Sequence, residues 1–206
     1  MADSNRRIIA LAPGGKLVIK GGQHPALAGG PKGGGQTVYL VFDCSGSMAG
    51  APLEQVKKGG VDFARTALGK GYRVGVISFD SQARLRIEAT ESLPQIERAM
   101  NSLQSSGSTN MAHGLELAVG RLEHAGGARC IVLLTDGYPD SPAAALNQAG
   151  KAHELGIGII TIGTETADHA FLRKIATTQD LVVSTSTSSL SAKLASTALM
   201  LPTSKN

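Results

Sequence analysis

The run Val38-Tyr39-Leu40-Val41-Phe42 constrains this chain more than any other stretch. It is five apolar residues with no polar alternation, bounded by Gly33-Gly34-Gly35 on one side and Gly46 on the other. Such a run is a short strand buried on both faces, and a strand of that kind belongs in the middle of a parallel sheet covered by helices on each side. A carboxylate and two hydroxyls follow at alternate positions: Asp43, Ser45 and Ser47. Open α/β sheets place their ligands beyond the C-terminal ends of their strands. Three hard oxygen donors with no imidazole or thiolate beside them suit Mg²⁺, with Mn²⁺ or Ca²⁺ as alternatives, better than zinc.

The rest of the chain supplies what such a strand needs. Ala51 to Leu68 has helical apolar spacing (Leu53, Val56, Phe63, Ala64, Ala67) with Pro52 in its first turn, where a missing N–H costs nothing. Gly59-Gly60 inside it would cost about 1 kcal/mol each relative to Ala, which close packing can offset. Tyr72 to Phe79 is a second buried strand. Ala83 to Ala89 alternates, with Leu85 and Ile87 expected on one side and Arg84, Arg86 and Glu88 on the other. After the short Asp80-Ser81-Gln82 turn there is no room for a crossover helix, so this strand is expected to be an antiparallel edge. Helices are expected over Ser92–Leu103, Met111–Glu123, Ser141–Leu155, Ala167–Ala176 and Ser188–Leu201, and strands over Arg129–Thr135, Ile157–Ile162 and Leu181–Val183. Strand–helix alternation of this kind gives a three-layer, doubly wound (Rossmann-like) α/β fold with a mostly parallel sheet and one antiparallel edge strand.

Charge divides the chain in two. Residues 1–35 carry Arg6, Arg7, Lys16, Lys20 and Lys32 against Asp3, which accounts for the whole net charge of +4 and leaves residues 36–206 neutral. Residues 1–35 therefore read as a basic, Gly-rich N-terminal extension. In it Arg7–Ala12 and Lys16–Lys20 are expected to form a hairpin about Pro13-Gly14-Gly15. The hairpin either packs on the domain edge or serves as a basic arm for an acidic partner. A neutral body with 3% aromatic residues and no Trp disfavours nucleic-acid binding. No apolar stretch reaches membrane-spanning length, and Ile8–Ala12 is too short for a secretory h-region, so the expectation is a cytoplasmic protein. Cys44 and Cys130 make no metal motif. They fall near opposite ends of neighbouring strands, roughly 20 Å apart at about 3.3 Å per residue, too far for a disulfide.

Three loops converge on one edge of the expected sheet: Asp43/Ser45/Ser47, Ser108-Thr109-Asn110 and Asp136-Gly137. Each has an ordinary alternative. Ser45–Ser47 could make a strand-to-helix turn and N-cap, Thr109-Asn110 a loop and cap, and Asp136-Gly137 a turn. Taken together, over about residues 36–200, they resemble the von Willebrand factor A domain family, in its bacterial, intracellular form, which makes residues 36–206 the expected domain. The metal-ion-dependent adhesion site of that family uses Asp-x-Ser-x-Ser, a distant Thr and a distant Asp, matched here by Asp43, Ser45, Ser47, Thr109 and Asp136. The resemblance implies a bound Mg²⁺ whose shell is completed by an Asp or Glu of a partner protein. It also implies partners such as MoxR-type AAA+ ATPases or kinase and phosphatase systems of stress responses. Cys44 is expected to fill core, His113 to sit on a helix surface, and Asp140 to be a solvated loop charge.

An enzyme is the rival class. A Mg²⁺-dependent phosphoryl-transfer hydrolase of the haloacid dehalogenase type also opens on a strand-end Asp, but it needs a second acid two residues later, where Ser45 stands. There is no Gly-x-x-x-x-Gly-Lys-Ser/Thr loop and no Gly-x-Ser-x-Gly elbow. A binding module is expected rather than an enzyme, and a scaffold with an empty site is the third alternative.

Overall fold

The computed structural model describes residues 35–202; the hairpin expected over residues 6–20 lies outside them. The strands are β1 (Gln36–Asp43), β2 (Tyr72–Phe79), β3 (Ala83–Thr90), β4 (Arg129–Thr135), β5 (Gly158–Gly163) and β6 (Val182–Ser184). The helices are α1 (Ala51–Gly69), α2 (Leu93–Asn101), α3 (Met111–Leu122), α4 (Pro142–Glu154), α5 (His169–Ile175) and α6 (Leu190–Thr197). One six-stranded sheet runs β3-β2-β1-β4-β5-β6, with every pairing parallel except β2–β3.

Alternation along β1 builds both halves of the core. Val38, Leu40 and Phe42 join α1, α2 and α6 on one face, while Tyr39 and Val41 join α3, α4 and α5 on the other. The sheet is therefore sandwiched between two helical layers, as the unbroken apolar run requires. From β1 the chain winds outward to β2 and β3, then returns to the other side of β1 as β4. The C-terminal ends of β1 and β4 thus flank the point where the winding reverses, the position where open sheets leave a crevice.

Two local rules explain the tightest packing. A Cβ on Gly59 would lie 2.7 Å from the Ser191 carbonyl oxygen, so glycine there lets α1 meet the start of α6 backbone to backbone. Arg129, buried at the foot of β4, donates from its guanidinium to the carbonyls of Leu122, Glu123 and Leu155. It thereby satisfies orphan acceptors at the ends of α3 and α4, and a cation there also suits both helix dipoles.

The structure corrects the sequence reading at particular elements. Leu85 and Ile87 do not share a face: Leu85 packs with Ile77 on the α3 side and Ile87 with Val76 on the α1 side. Successive β2 residues Val76 and Ile77 pair with Ile87 and Leu85, so Arg86 is an extra residue in a β-bulge that reverses the alternation. The last helix is shorter than Ser188–Leu201, with 3₁₀ turns at Thr187–Ser189 and Ala198–Met200. Pro202 ends it, and Lys70 Nζ donates to the freed carbonyls of Leu199 (2.9 Å) and Leu201 (2.8 Å). The sixth strand is Val182–Ser184, with Leu181 fully buried in the turn before it. Cys44 and Cys130 are free, buried thiols, and Cys130 pairs with Val38 at the far end of β1 from Cys44.

Candidate metal centre

Asp43 ends β1 and is completely buried. Its Oδ1 accepts the Ser45 N–H at 2.9 Å, and its Oδ2 accepts the Thr135 hydroxyl at 2.5 Å. The strand register dictates the second contact, because Phe42 faces Leu134 and the next residues along are Asp43 and Thr135. Burial pushes the Asp43 carboxyl up to about 6; the Thr135 and Ser45 hydrogen bonds oppose the rise and the charge of Asp136 adds to it. Among the described residues no Lys or Arg forms an ion pair with Asp43 or Asp136. Among the described residues a buried carboxylate thus lies near a second one, and neither has an ion-pair partner.

Above Asp43 runs a chain of oxygens. Ser45 Oγ lies 3.1 Å from Ser47 Oγ, and the Ser47 hydroxyl donates to Asp136 Oδ1 at 2.9 Å. Ser45 is buried, Asp136 half-buried, and Ser47, which joins them, exposed. Thr109 enters beside them from the loop before α3, and a Cβ placed on Gly137 would stand 3.8 Å from its Oγ1. The structure therefore gathers Asp43, Ser45, Ser47 and Asp136 through hydrogen bonds and sets Thr109 against the Asp136-Gly137 turn.

The local alternatives for these residues fare unequally. Ser45 precedes the 3₁₀ turn Gly46–Met48 but makes no side-chain cap, and the N-cap of α1 is Gly50. The cap of α3 is Asn110, whose Oδ1 accepts the His113 N–H at 3.2 Å. Capping thus occupies Asn110 and leaves the hydroxyls of Ser45, Ser47 and Thr109 to one another and to the crevice.

Loop anchors outside the expected set hold the arrangement. Gly107, at φ +71°, accepts the Gly46 N–H on its carbonyl at 3.1 Å, tying the Thr109 loop to the Ser45 turn. Asp140 binds that loop from the other side, accepting from Ser108 Oγ (2.7 Å) and the Thr109 N–H (3.1 Å), while its own N–H donates to the Thr109 carbonyl (3.0 Å). Asp140 is therefore a clamp rather than a free loop charge. His113 also bridges, accepting the Ala83 N–H on Nδ1 at 3.1 Å. Asp80, buried and paired with Arg84 at 2.5 Å, accepts from Ser106 Oγ and bonds the Asn110 N–H through its carbonyl. Cys44 fills core, as expected, and burial pushes its thiol up to about 12. Thr135 could have been found from the sequence, as the residue before Asp136 on the strand paired with β1. The Asp140 clamp spans 31 residues and leaves no local signature.

The donor set fits a small hard cation. The carboxylates of Asp43 and Asp136 and the hydroxyls of Ser45, Ser47 and Thr109 are all hard oxygen donors, Asp43 and Ser45 lying buried beneath the others, and no group of three or more His, Cys, Asp or Glu side chains that could hold a metal ion assembles among the described residues. Adjacent ligands of an octahedral ion bound at about 2.1 Å sit about 3 Å apart. The Ser45–Ser47 and Ser47–Asp136 oxygen separations of 3.1 and 2.9 Å are hydrogen-bond lengths, and they are compatible with that edge.

A family model described as "von Willebrand factor type A domain" matches residues 37–197. An uncharacterized protein of Synechocystis sp., sll0103, is 36% identical over 108 residues, covering 48% of this chain. The chain spans about a quarter of that relative's length (24%). The vWF domain of the type V pili tip protein Mfa5 from Porphyromonas gingivalis superposes with a TM-score of 0.72 at 16% identity, over 81% of this chain and 95% of that one. Proximal thread matrix protein 1 from the mussel byssus, in a structure described as having a zinc-occupied MIDAS motif, gives a TM-score of 0.66 at 21% identity, over 81% and 46% of the two chains. At such identities these two structures share the fold.

Proposed function

The chain belongs to the von Willebrand factor type A domain family, and we propose that it is a cation-dependent protein-binding module in which Asp43, Ser45, Ser47, Thr109 and Asp136 hold Mg²⁺ at a metal-ion-dependent adhesion site. One observation carries the reading: a fully buried Asp43, with no ion-pair partner among the described residues, lies beneath a hydrogen-bonded chain of oxygens that opens to solvent. When bound, the cation would supply an electrophilic position for an oxygen of an incoming Asp or Glu. The protein's part is to hold three neutral hydroxyls in place, so that charge is left for the partner's carboxylate to neutralise. Asp43 orients Ser45 through its backbone N–H, Asp136 orients Ser47, and Asp140 and Gly107 fix the Thr109 loop. Without a cation, Asp43 and Asp136 would repel the same carboxylate, which makes binding conditional on metal. The zinc described in the mussel protein makes zinc the natural competitor to test beside Mg²⁺.

Hydrolysis through Asp43 is the weaker reading. Attack on phosphorus needs a carboxylate oxygen free at the surface, and both oxygens of Asp43 are engaged inside the protein, from where it would serve a cation through its charge and its hold on Ser45 rather than through an open oxygen. Among the described residues no helix is long and apolar enough to cross a membrane. The partners proposed are proteins of an intracellular regulatory or stress-response complex, of the MoxR-type AAA+ ATPase or kinase/phosphatase kind. The test is capture on the immobilised full chain in Mg²⁺, then in EDTA, with Asp136→Ala alongside. A specific partner released by EDTA and missed by the variant is expected; the same partners under all conditions would refute the reading.

A further inference from the structure

Tyr138 and Leu199 are the exposed large hydrophobic side chains among the described residues, at 57% and 53%. Leu199 lies at the far end of the molecule, where Lys70 at the foot of α1 binds its carbonyl. Tyr138 is two residues beyond Asp136, on the rim of the crevice. We propose that Tyr138 is the specificity-determining residue of this site, selecting extended partner segments that carry an apolar side chain two residues from their metal-directed Asp or Glu. This rests on the cation-dependent binding reading above.

The loop bearing Tyr138 is fixed at both ends, which holds its backbone in place. Gly137 N–H donates to Thr135 Oγ1 at 3.2 Å, and Asp140 is tied to Thr109 and Ser108 by the three bonds already described. Pro139 between them is buried, which removes a further freedom. Beneath, the ring leans on Phe171 with centroids 5.7 Å apart at 47°, and Phe171 itself is 5% exposed. One side of Tyr138 therefore rests on the α5 layer while much of the ring stays open, beside the site and held by the backbone that positions Asp136 and Thr109.

Geometry then selects the partner. Residues two apart in a chain are at most about 7 Å apart, the Asp136–Tyr138 case. In an extended segment, residues i and i+2 project to the same side about 6.6–6.8 Å apart. A partner lying extended from the oxygens of the site across Tyr138 would therefore present to the ring the side chain two residues from its carboxylate, its i±1 side chains pointing away. A rigid Tyr gives a large contact area at little conformational cost, and Tyr is enriched among residues that dominate interface energies.

Random nonapeptides displayed on phage, selected on the Mg²⁺-loaded full chain and released with EDTA, test this. Released sequences are expected to carry Asp or Glu with an aromatic or aliphatic residue two positions away. Tyr138→Phe should keep that pattern. Tyr138→Ser should keep the acid, lose the i±2 preference, and bind the selected wild-type peptides roughly tenfold more weakly. The chain lacks Trp, and Tyr39 and Tyr72 are 2% and 1% exposed, so acrylamide quenching of tyrosine emission reports on Tyr138. A selected peptide free of Tyr and Trp should reduce that quenching. An acid retained with the same neighbours for wild type and Tyr138→Ser would overturn the role of Tyr138 alone. EDTA-released peptides without an acid would overturn the binding reading, and this inference with it.

Discussion

Replacing Asp43 by Asn should make the metal-free protein more stable while abolishing its response to Mg²⁺. The change keeps the shape of the side chain and removes a charge that burial penalises. The folded pKa of about 6 stands above an unfolded value near 3.8, so in that window the native wild type holds protons that the unfolded chain has released. Wild-type stability therefore declines as pH rises from about 4 to about 6, and levels off above. Two pH units correspond to about 3 kcal/mol as an upper bound. An Asn oxygen can still accept the Ser45 N–H, but the Thr135 hydroxyl must turn from donor to acceptor, which leaves a gain of about 1–3 kcal/mol. For a domain of this size that is roughly 3–8 °C in Tm. Melting followed by circular dichroism in EDTA should show the variant ahead at pH 8 and the gap closing towards pH 4. Mg²⁺ at about 100 times its Kd should add about 2.7 kcal/mol to the wild type and nothing to the variant. A variant that melts at or below wild type in EDTA at pH 8, or a gap indifferent to pH, would refute the electrostatic argument.

Gly59→Ala should destabilise the fold by about 1–3 kcal/mol despite Ala's better helix propensity, because the new Cβ would meet Ser191 O at 2.7 Å and Ser191 Cα at 2.8 Å; chemical denaturation measures it. Asp140→Ala should weaken Mg²⁺ binding roughly three- to tenfold by freeing the Thr109 loop, with Tm in EDTA little changed, as titration calorimetry and melting together would show. Mg²⁺ affinity should fall about tenfold per pH unit below pH 6, where Asp43 must lose a proton to bind, and titrations at pH 5 and pH 7 check this.

What the sequence made legible follows from where each signal lies. Buried parallel strands announce themselves as unbroken apolar runs, so β1, β2 and β4 could be read from local composition, and the doubly wound order then placed Asp43 and Asp136 at neighbouring strand ends. The faces of β3 could not be read in this way. Its alternation looks regular, and only the pairing of Val76 and Ile77 with Ile87 and Leu85 reveals the bulge at Arg86. The five oxygen-bearing residues of the crevice stand out by type and spacing. Their supports do not, since Gly107 acts through its backbone carbonyl and the Asp140 carboxylate reaches across to a distant loop. Thr135 is intermediate, identifiable once β1 and β4 are known to be in register.

Calorimetric titration of Mg²⁺ into the metal-free full chain at pH 7.5 or so tests the central claim most directly. One ion per chain should bind wild type, and Ser47→Ala and Asp136→Ala should each lose most of that binding while melting in EDTA like the parent. Absence of Mg²⁺ binding to wild type, or binding unchanged in both variants, would contradict the account.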